Sequence, residues 1–331
     1  MIKYTLTAMM LILAATSWWA WQQYQQAMTQ PVVKDNVVIL EIVKGESFNQ
    51  ISKKMRQQLA FQPLWFKVIA YQKKQINQLK AGEYRLLPGM TLPDILDVFV
   101  AGKSLQYSIT FPEGWTFKQI RQRIDNNTRL RHTLKDIDES AILQKLGSRY
   151  THAEGMFLPE TYFFEKNSSD LELLKRAYDR MQQVLKQEWQ NKQAGLPLKT
   201  PYEALILASI VEKETAVPSE RAIIAGVFIR RLQKDMLLQT DPTVIYGMGE
   251  HYKGNIRRKD LKTPTAYNTY VIKGLPPTPI AMPGRDAIHA VLHPATGKSL
   301  YFVAKGDGTH YFSETLRQHV NAVNKYQKKQ R

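Results

Sequence analysis

Glu214 stands near the end of the run Tyr202-Glu-Ala-Leu-Ile-Leu-Ala-Ser-Ile-Val-Glu-Lys-Glu-Thr-Ala-Val-Pro218. Alanine, leucine and glutamate favour a helix there, and Pro218 cannot continue it. On a wheel of about 100° per residue, Leu207, Ile210 and Val211 share the side of Glu214. Glu212 and Ser209 fall nearly opposite. A carboxyl on the apolar face, in the last helical turn, is pushed toward its protonated form twice, by burial and by the negative end of the helix dipole. A carboxyl still protonated near neutral pH is what a general acid requires. The plainer reading of such a residue is a solvated charge at a helix end. Glu212 is the second candidate acid, and the wheel turns it away.

Other constellations carry less. His289 and His293 have a spacing used by metal ligands, but no Glu or Cys near them in the sequence completes a site, so no metal is expected. The chain has no cysteine, which excludes disulfides and thiolate sites. No phosphate-binding glycine loop and no Ser/His/Asp arrangement appears, and no cofactor is expected.

The elements that must position Glu214 begin at the amino terminus. After residues 1–3 comes an uncharged run, residues 4–21, with Trp18, Trp19 and Trp21 at its far end. Its length and its indoles suit an uncleaved transmembrane anchor better than a cleaved signal. Residues 1–3 would then be a cytoplasmic stub, and everything after the anchor would lie outside. The whole chain has 44% hydrophobic and 23% charged residues, so the exported part is globular, and it is long enough for two domains. The net charge is +17. An anchored chain has no use for nucleic acid, so a basic surface points to anionic lipid or an anionic wall polymer. Residues 51–86 carry eight Lys or Arg against one acid, Glu83.

Residues 22–35 read as a polar stalk, and 36–105 as a small module: strand 37–43, helices at 48–55 and 61–76, strand 81–86, and a helix from 92 to Gly102. A larger domain, 106–320, follows. It reads as a strand at 107–111, helices over 116–148, an aromatic loop-like stretch at 154–164, and a long helix at 169–192. The Glu214 helix comes next, then a helix at 219–234 with Ile223, Ile224, Val227, Phe228 and Leu232 on one face. A polar loop at 239–283, a helix at 285–292 and a hairpin turning at Gly306-Asp-Gly308 complete it. Residues 321–331 read as a frayed basic tail.

Five motifs fall in one order: Glu154-Gly-Met-Phe-Leu-Pro159, Ala208-Ser-Ile-Val-Glu-Lys-Glu-Thr215, Leu238-Gln-Thr-Asp-Pro-Thr-Val-Ile-Tyr-Gly247, Thr263-Pro-Thr-Ala-Tyr-Asn-Thr-Tyr270 and Gly274-Leu-Pro-Pro-Thr-Pro-Ile-Ala-Met-Pro-Gly284, followed by Leu292-His-Pro-Ala295. Together they resemble the YceG-like (MltG) family of endolytic murein transglycosylases over essentially the whole chain. Met282 and Glu160 depart from the family pattern, outside the Glu214 motif. The resemblance implies an α+β fold: the membrane anchor, a LysM-like module over 36–105, and a mainly helical catalytic domain with lysozyme-like local geometry and short β elements. It implies a membrane-bound lyase at the outer face of the cytoplasmic (inner) membrane. Such an enzyme cuts within peptidoglycan glycan strands between N-acetylmuramic acid and N-acetylglucosamine and leaves 1,6-anhydro-muramic ends, and peptidoglycan synthases are plausible partners.

The resemblance also places the single essential carboxyl at Glu214, acting as acid and then as base. Gln239, Thr240, Tyr246, Tyr267, Asn268, Thr269 and Tyr270 supply the hydrogen-bond donors and flat faces by which sugars bind, or alternatively the loop's own structure. Asp241 is the nearest candidate for a second carboxyl, although Asp-Pro is a common turn start. Two competitors remain: a non-catalytic wall-binding protein, and a muramidase that uses water with Asp241 as its partner acid.

Overall fold

The computed structural model describes residues 2–328. Met1 of the stub and residues 329–331 of the tail lie outside the described residues. The chain forms two units, Met1–Tyr107 with Phe163–Asn167, and Ser108–Tyr162 with Ser168–Arg331. Phe163–Asn167, inside the range read as the catalytic domain, thus belongs to the first unit.

The first unit starts with helix α1 (Ile2–Thr29). Met9 through Leu13, Trp18, Trp19 and Trp21 are exposed on it. The expectation of a spanning anchor at 4–21 needs correction: no helix among the described residues is long and apolar enough to cross a membrane. Thr5, Thr7, Thr16 and Ser17 dilute the apolar run, and the indoles and Tyr4 are amphipathic rather than purely apolar. The helix continues into the stretch read as a stalk, where Tyr24, Ala27 and Met28 pack against the core of the unit. That core lies among β1 (Val38–Ile42), α2 (Phe48–Arg56), α3 (Pro63–Gln72), β2 (Gly82–Leu86) and α4 (Leu92–Ala101). β1 and β2 pair antiparallel, Val38 opposite Leu86 and Ile42 opposite Gly82. α2 begins in a capping box of Ser47 and Gln50. α4 ends at Gly102, whose φ of 70° is the left-handed cap that glycine adopts without strain.

Two strands, β3 (Gln106–Thr110) and β4 (Thr161–Glu165), pair with each other. β4 lies in the stretch read as loop. Its alternation, Tyr162 and Phe164 buried with Thr161 and Phe163 exposed, is the period of a strand.

The second unit is mainly helical: α5 (Phe117–Asp125), α6 (Glu139–Lys145), α7 (Asp170–Gln190), α8 (Pro201–Glu214), α9 (Pro218–Gln233), α10 (Asp241–Met248) and α11 (Arg285–Leu292). The hairpin β5 (Tyr301–Ala304) and β6 (His310–Ser313) follows, then α12 (Leu316–Val323). α8 is the central element, packed against α7, α9, α10 and α11. The segment read as one polar loop contains α10 and two short 3-10 turns. The start of the expected frayed tail is helical, α12 running into a wider turn at Asn324–Lys328. The hairpin pairs as expected, Tyr301 opposite Ser313 and Ala304 opposite His310.

Candidate functional site

α8 starts at Thr200, whose hydroxyl accepts from the N–H of Glu203 at 3.2 Å, with Pro201 in the first turn. Ala204 through Val211 are all buried. This stretch of the helix therefore has no solvated face, and the wheel's polar side is polar there without being wet. Ser209 donates to the carbonyl of Ile206 at 2.7 Å and accepts from the N–H of Ile280 at 3.0 Å. Glu212 points away from Glu214, as the wheel places it, yet its side chain is only 6% exposed. It accepts from the N–H of Gly284 at 3.0 Å and lies 3.8 Å from Arg221. Burial holds its carboxyl above the usual range.

Glu214 is the last residue of α8 and borders a cavity of about 450 Å³. Gln239, Asp241, Tyr270, His310 and His319 border the same space, with Arg231 and the strand Tyr301–Ala304 forming part of its wall. Protein crowds the Glu214 carboxyl, and this desolvation pushes it up to about 7. The hydroxyl of Thr240 donates to it and opposes the rise, Asp241 adds to the rise, and His310 opposes it. The arrangement suits a group that gives up a proton near neutral pH and can take one back.

The loop residues separate into two sets. Gln239, Asp241 and Tyr270 reach the cavity, and the Tyr270 hydroxyl donates to Asp241 at 2.6 Å. Gln239 has a φ of 54°, the left-handed region uncommon for a side-chain-bearing residue. Its N–H donates to the carbonyl of Thr269 at 3.1 Å, and its amide oxygen accepts from Arg231 at 3.2 Å. Thr240, Asn268 and Thr269 are buried and organise the loop. Thr269 accepts the N–H of Thr240 at 3.1 Å and shares a hydrogen bond of 2.8 Å with Thr243. Asn268 donates to the carbonyls of Asp260, Leu261 and Thr263, at 3.2, 3.2 and 2.7 Å. Tyr246 and Tyr267 do not border this cavity. Their rings meet edge to face at 4.8 Å. The Tyr246 hydroxyl donates to Glu154 at 3.1 Å, and that of Tyr267 pairs with Thr278 at 2.8 Å. The loop's own contacts hold both side chains outside the Glu214 cavity.

Four features escaped the residue-type reading. Arg231 is a buried cation that donates to the carbonyls of Leu300, Leu237 and Leu238, at 2.7, 2.8 and 3.0 Å, and so ties the hairpin to the loop. Glu154, inside the quoted Glu-Gly-Met-Phe-Leu-Pro motif, is buried and raised to about 7, mainly by desolvation. His310 borders the cavity, with Glu220 behind it. Glu188 joins His289 and His293 in the one group among the described residues with a metal-like donor set. The reading that no acid completes those histidines is corrected, since α7 brings Glu188 from far away in sequence. Glu188 accepts from Arg285 and pairs with His289, both at 2.8 Å, and Nε2 of His293 lies 2.8 Å from the carbonyl of Asn191. Protein groups thus already occupy these donors.

Fold and site define a class. The YceG-like family model matches residues 40–325, and the chain belongs to that family. Among its relatives, an endolytic murein transglycosylase of Bacillus subtilis is 30% identical over 324 residues, 92% of this chain and 89% of that protein. A Streptococcus pneumoniae protein of the same name is 30% identical over 285 residues, 76% of this chain. The chain spans about half of that longer relative, 51%. A 2.6 Å crystal structure of a YceG-like protein from Listeria monocytogenes is 29% identical, with a TM-score of 0.54, covering 86% of this chain and 98% of that one.

Proposed function

We propose that the protein is an endolytic murein transglycosylase with Glu214 as its catalytic acid. The observation that carries this reading is a carboxyl raised to about 7 on a cavity bordered by hydrogen-bonding loop residues, in a chain whose relatives bear that name. Glu214 donates its proton to the glycosidic oxygen between N-acetylmuramic acid and N-acetylglucosamine. The C6 hydroxyl of the muramic residue then closes onto the vacated carbon, giving a 1,6-anhydro end without water. The proton that the C6 hydroxyl releases on closing returns to the Glu214 carboxylate by the end of the cycle. Gln239, Asp241 and Tyr270 are the substrate contacts in this reading, and Asp241 lends negative charge near the cationic carbon.

The enzyme acts on nascent strands at the outer face of the cytoplasmic membrane, beside the synthases that make them. The exposed apolar stretch of α1 attaches it to lipid, and the basic first module, LysM-like in this reading, meets the anionic wall. Flotation of the full chain with anionic vesicles tests the attachment. Loss of flotation on replacing Met9, Leu11 and Leu13 by Ser supports it, and unchanged flotation overturns it.

The presence of Asp241 on the same cavity favours one alternative, a muramidase in which Asp241 activates water. Mass spectrometry of digested peptidoglycan decides. Anhydro-muramic ends from the wild type and none from Glu214→Gln support the proposal. Reducing ends select the hydrolase, and equal activity in the variant removes Glu214.

A further inference from the structure

His310 is held on three sides. Its ring packs against those of Phe302 and Phe312, with centroids at 5.4 and 6.4 Å. Behind it Glu220, on α9 and 8% exposed, accepts the backbone N–H of His310 at 2.9 Å and meets its Nδ1 at 2.7 Å. A carboxylate only accepts, so Nδ1 carries a hydrogen, and in the neutral ring the lone pair is then on Nε2. Nε2 has no hydrogen-bond partner among the described residues, and His310 borders the Glu214 cavity, whereas Glu220 does not. A base oriented by a buried acid, on the same cavity as a second proton-carrying group, is the arrangement by which hydroxyl nucleophiles are activated.

We infer that His310 is the base of the reaction, an inference that rests on the transglycosylase reading. Glu214 protonates the leaving glycosidic oxygen as its bond to C1 breaks. The C6 oxygen forms its bond to C1 and releases its proton to Nε2 of His310. The resulting imidazolium, paired with Glu220, passes that proton to the Glu214 carboxylate, so both groups return to their starting forms and no water is consumed. Glu220 is a positioning residue. It touches His310 and not the substrate. The other titratable groups about the cavity are Glu214, Asp241, Tyr270, Tyr301, Arg231 and His319.

The test uses the purified chain and peptidoglycan, with bond cleavage followed whatever the end formed. His310→Ala is expected to lower kcat by about 10²- to 10⁴-fold with KM and melting temperature little changed, and added imidazole restores part of the rate. Imidazole restores nothing in Glu214→Gln. In Glu220→Gln the rate falls and imidazole does not help, because the ring is still in place. A full rate in His310→Ala overturns the inference, and so does a loss that imidazole never rescues in a variant that melts like the wild type. Independently of activity, ¹⁵N NMR of His310 is expected to show an unprotonated Nε2, and an Nε2–H tautomer overturns the assignment. Reducing ends from the wild type would remove the transglycosylase reading alone, since rescue is scored on cleavage.

Discussion

The hydroxyl of Thr240 donates to the carboxyl of Glu214 instead of capping its own helix. Thr240 is the N-cap residue of α10, where a threonine hydroxyl ordinarily accepts a backbone N–H. α10 begins without that bond, and the hydroxyl serves the site. Local rules broken in this way mark function more often than accident.

Because that hydrogen bond stabilises the charged carboxylate, removing it raises the proton affinity of Glu214 further. Thr240→Val keeps the volume and removes only the donor. The alkaline limb of the activity profile, set by loss of the Glu214 proton near 7, is expected to move up by about one pH unit. A pH–rate profile on solubilised glycan strands measures it. An unmoved limb would mean that Thr240 does not set the proton affinity of the acid.

Glu214→Gln separates activity from stability. Activity is expected to fall by about 10²- to 10⁴-fold. Stability goes the other way, with a definite sign. The carboxyl titrates from its ordinary 4.5 when unfolded and near 7 when folded. Between those values the folded chain keeps a proton that the unfolded chain has released, so the ionisable Glu214 costs stability as pH rises through that window, fully so above about 7. The glutamine variant avoids this cost. Its melting temperature should match the wild type near pH 4 and exceed it at pH 8, where the stability gained is on the order of 3 kcal/mol. Glu154 titrates alike in both proteins and cancels. Parallel melting curves at all pH values would contradict the burial of Glu214.

The sequence made some of this visible and concealed the rest for identifiable reasons. Glu214 stood out because its helix is uninterrupted and its last turn can be counted. α9, α11 and the hairpin were readable from periodicity. The all-round burial of α8 was not, because α7, α9 and α11 converge on it from distant parts of the chain. His310 has no local signal of its own, since its partner Glu220 lies 90 residues away. Tyr246, Tyr267 and Tyr270 are equivalent by residue type, and only tertiary placement sends one to the cavity and two to Glu154 and Thr278. β4 was hidden because its exposed Phe163 is as aromatic as the buried Tyr162 and Phe164 on either side, which erases the alternation.

The same distinction predicts opposite phenotypes for residues that looked alike. Asn268→Ala removes the donor to three carbonyls at once and leaves a buried gap. A loss of about 2–4 kcal/mol is expected from urea denaturation. Tyr246→Phe removes one bond to Glu154 and nothing from the cavity. Its kcat/KM should stay within about threefold of the wild type, with about 1 kcal/mol lost in stability. A large drop in kcat/KM for Tyr246→Phe, at unchanged stability, would return that tyrosine to the substrate site.

Gly226, in the middle of α9, gives a final test in which two effects compete. Glycine inside a helix ordinarily costs up to about 1 kcal/mol relative to alanine, so Gly226→Ala should stabilise if propensity alone counted. A methyl group there, however, would lie 2.5 Å from the backbone oxygen of Ala295 and 2.8 Å from Nη1 of Arg230. Ala295 docks at this place, its N–H donating to the carbonyl of Ala222 at 2.9 Å and its oxygen accepting from Arg230 at 3.1 Å. The contact therefore needs a bare backbone, which accounts for the Leu-His-Pro-Ala motif meeting α9 at a glycine. Overpacking against backbone costs about 1–3 kcal/mol, more than the propensity gain. Gly226→Ala is expected to lower the melting temperature. Because Arg230 also donates to Ser299 at 2.8 Å, just ahead of β5, activity should fall with it as the hairpin that carries His310 loosens. A stabilised, fully active variant would show that the 295 segment can retreat freely from α9.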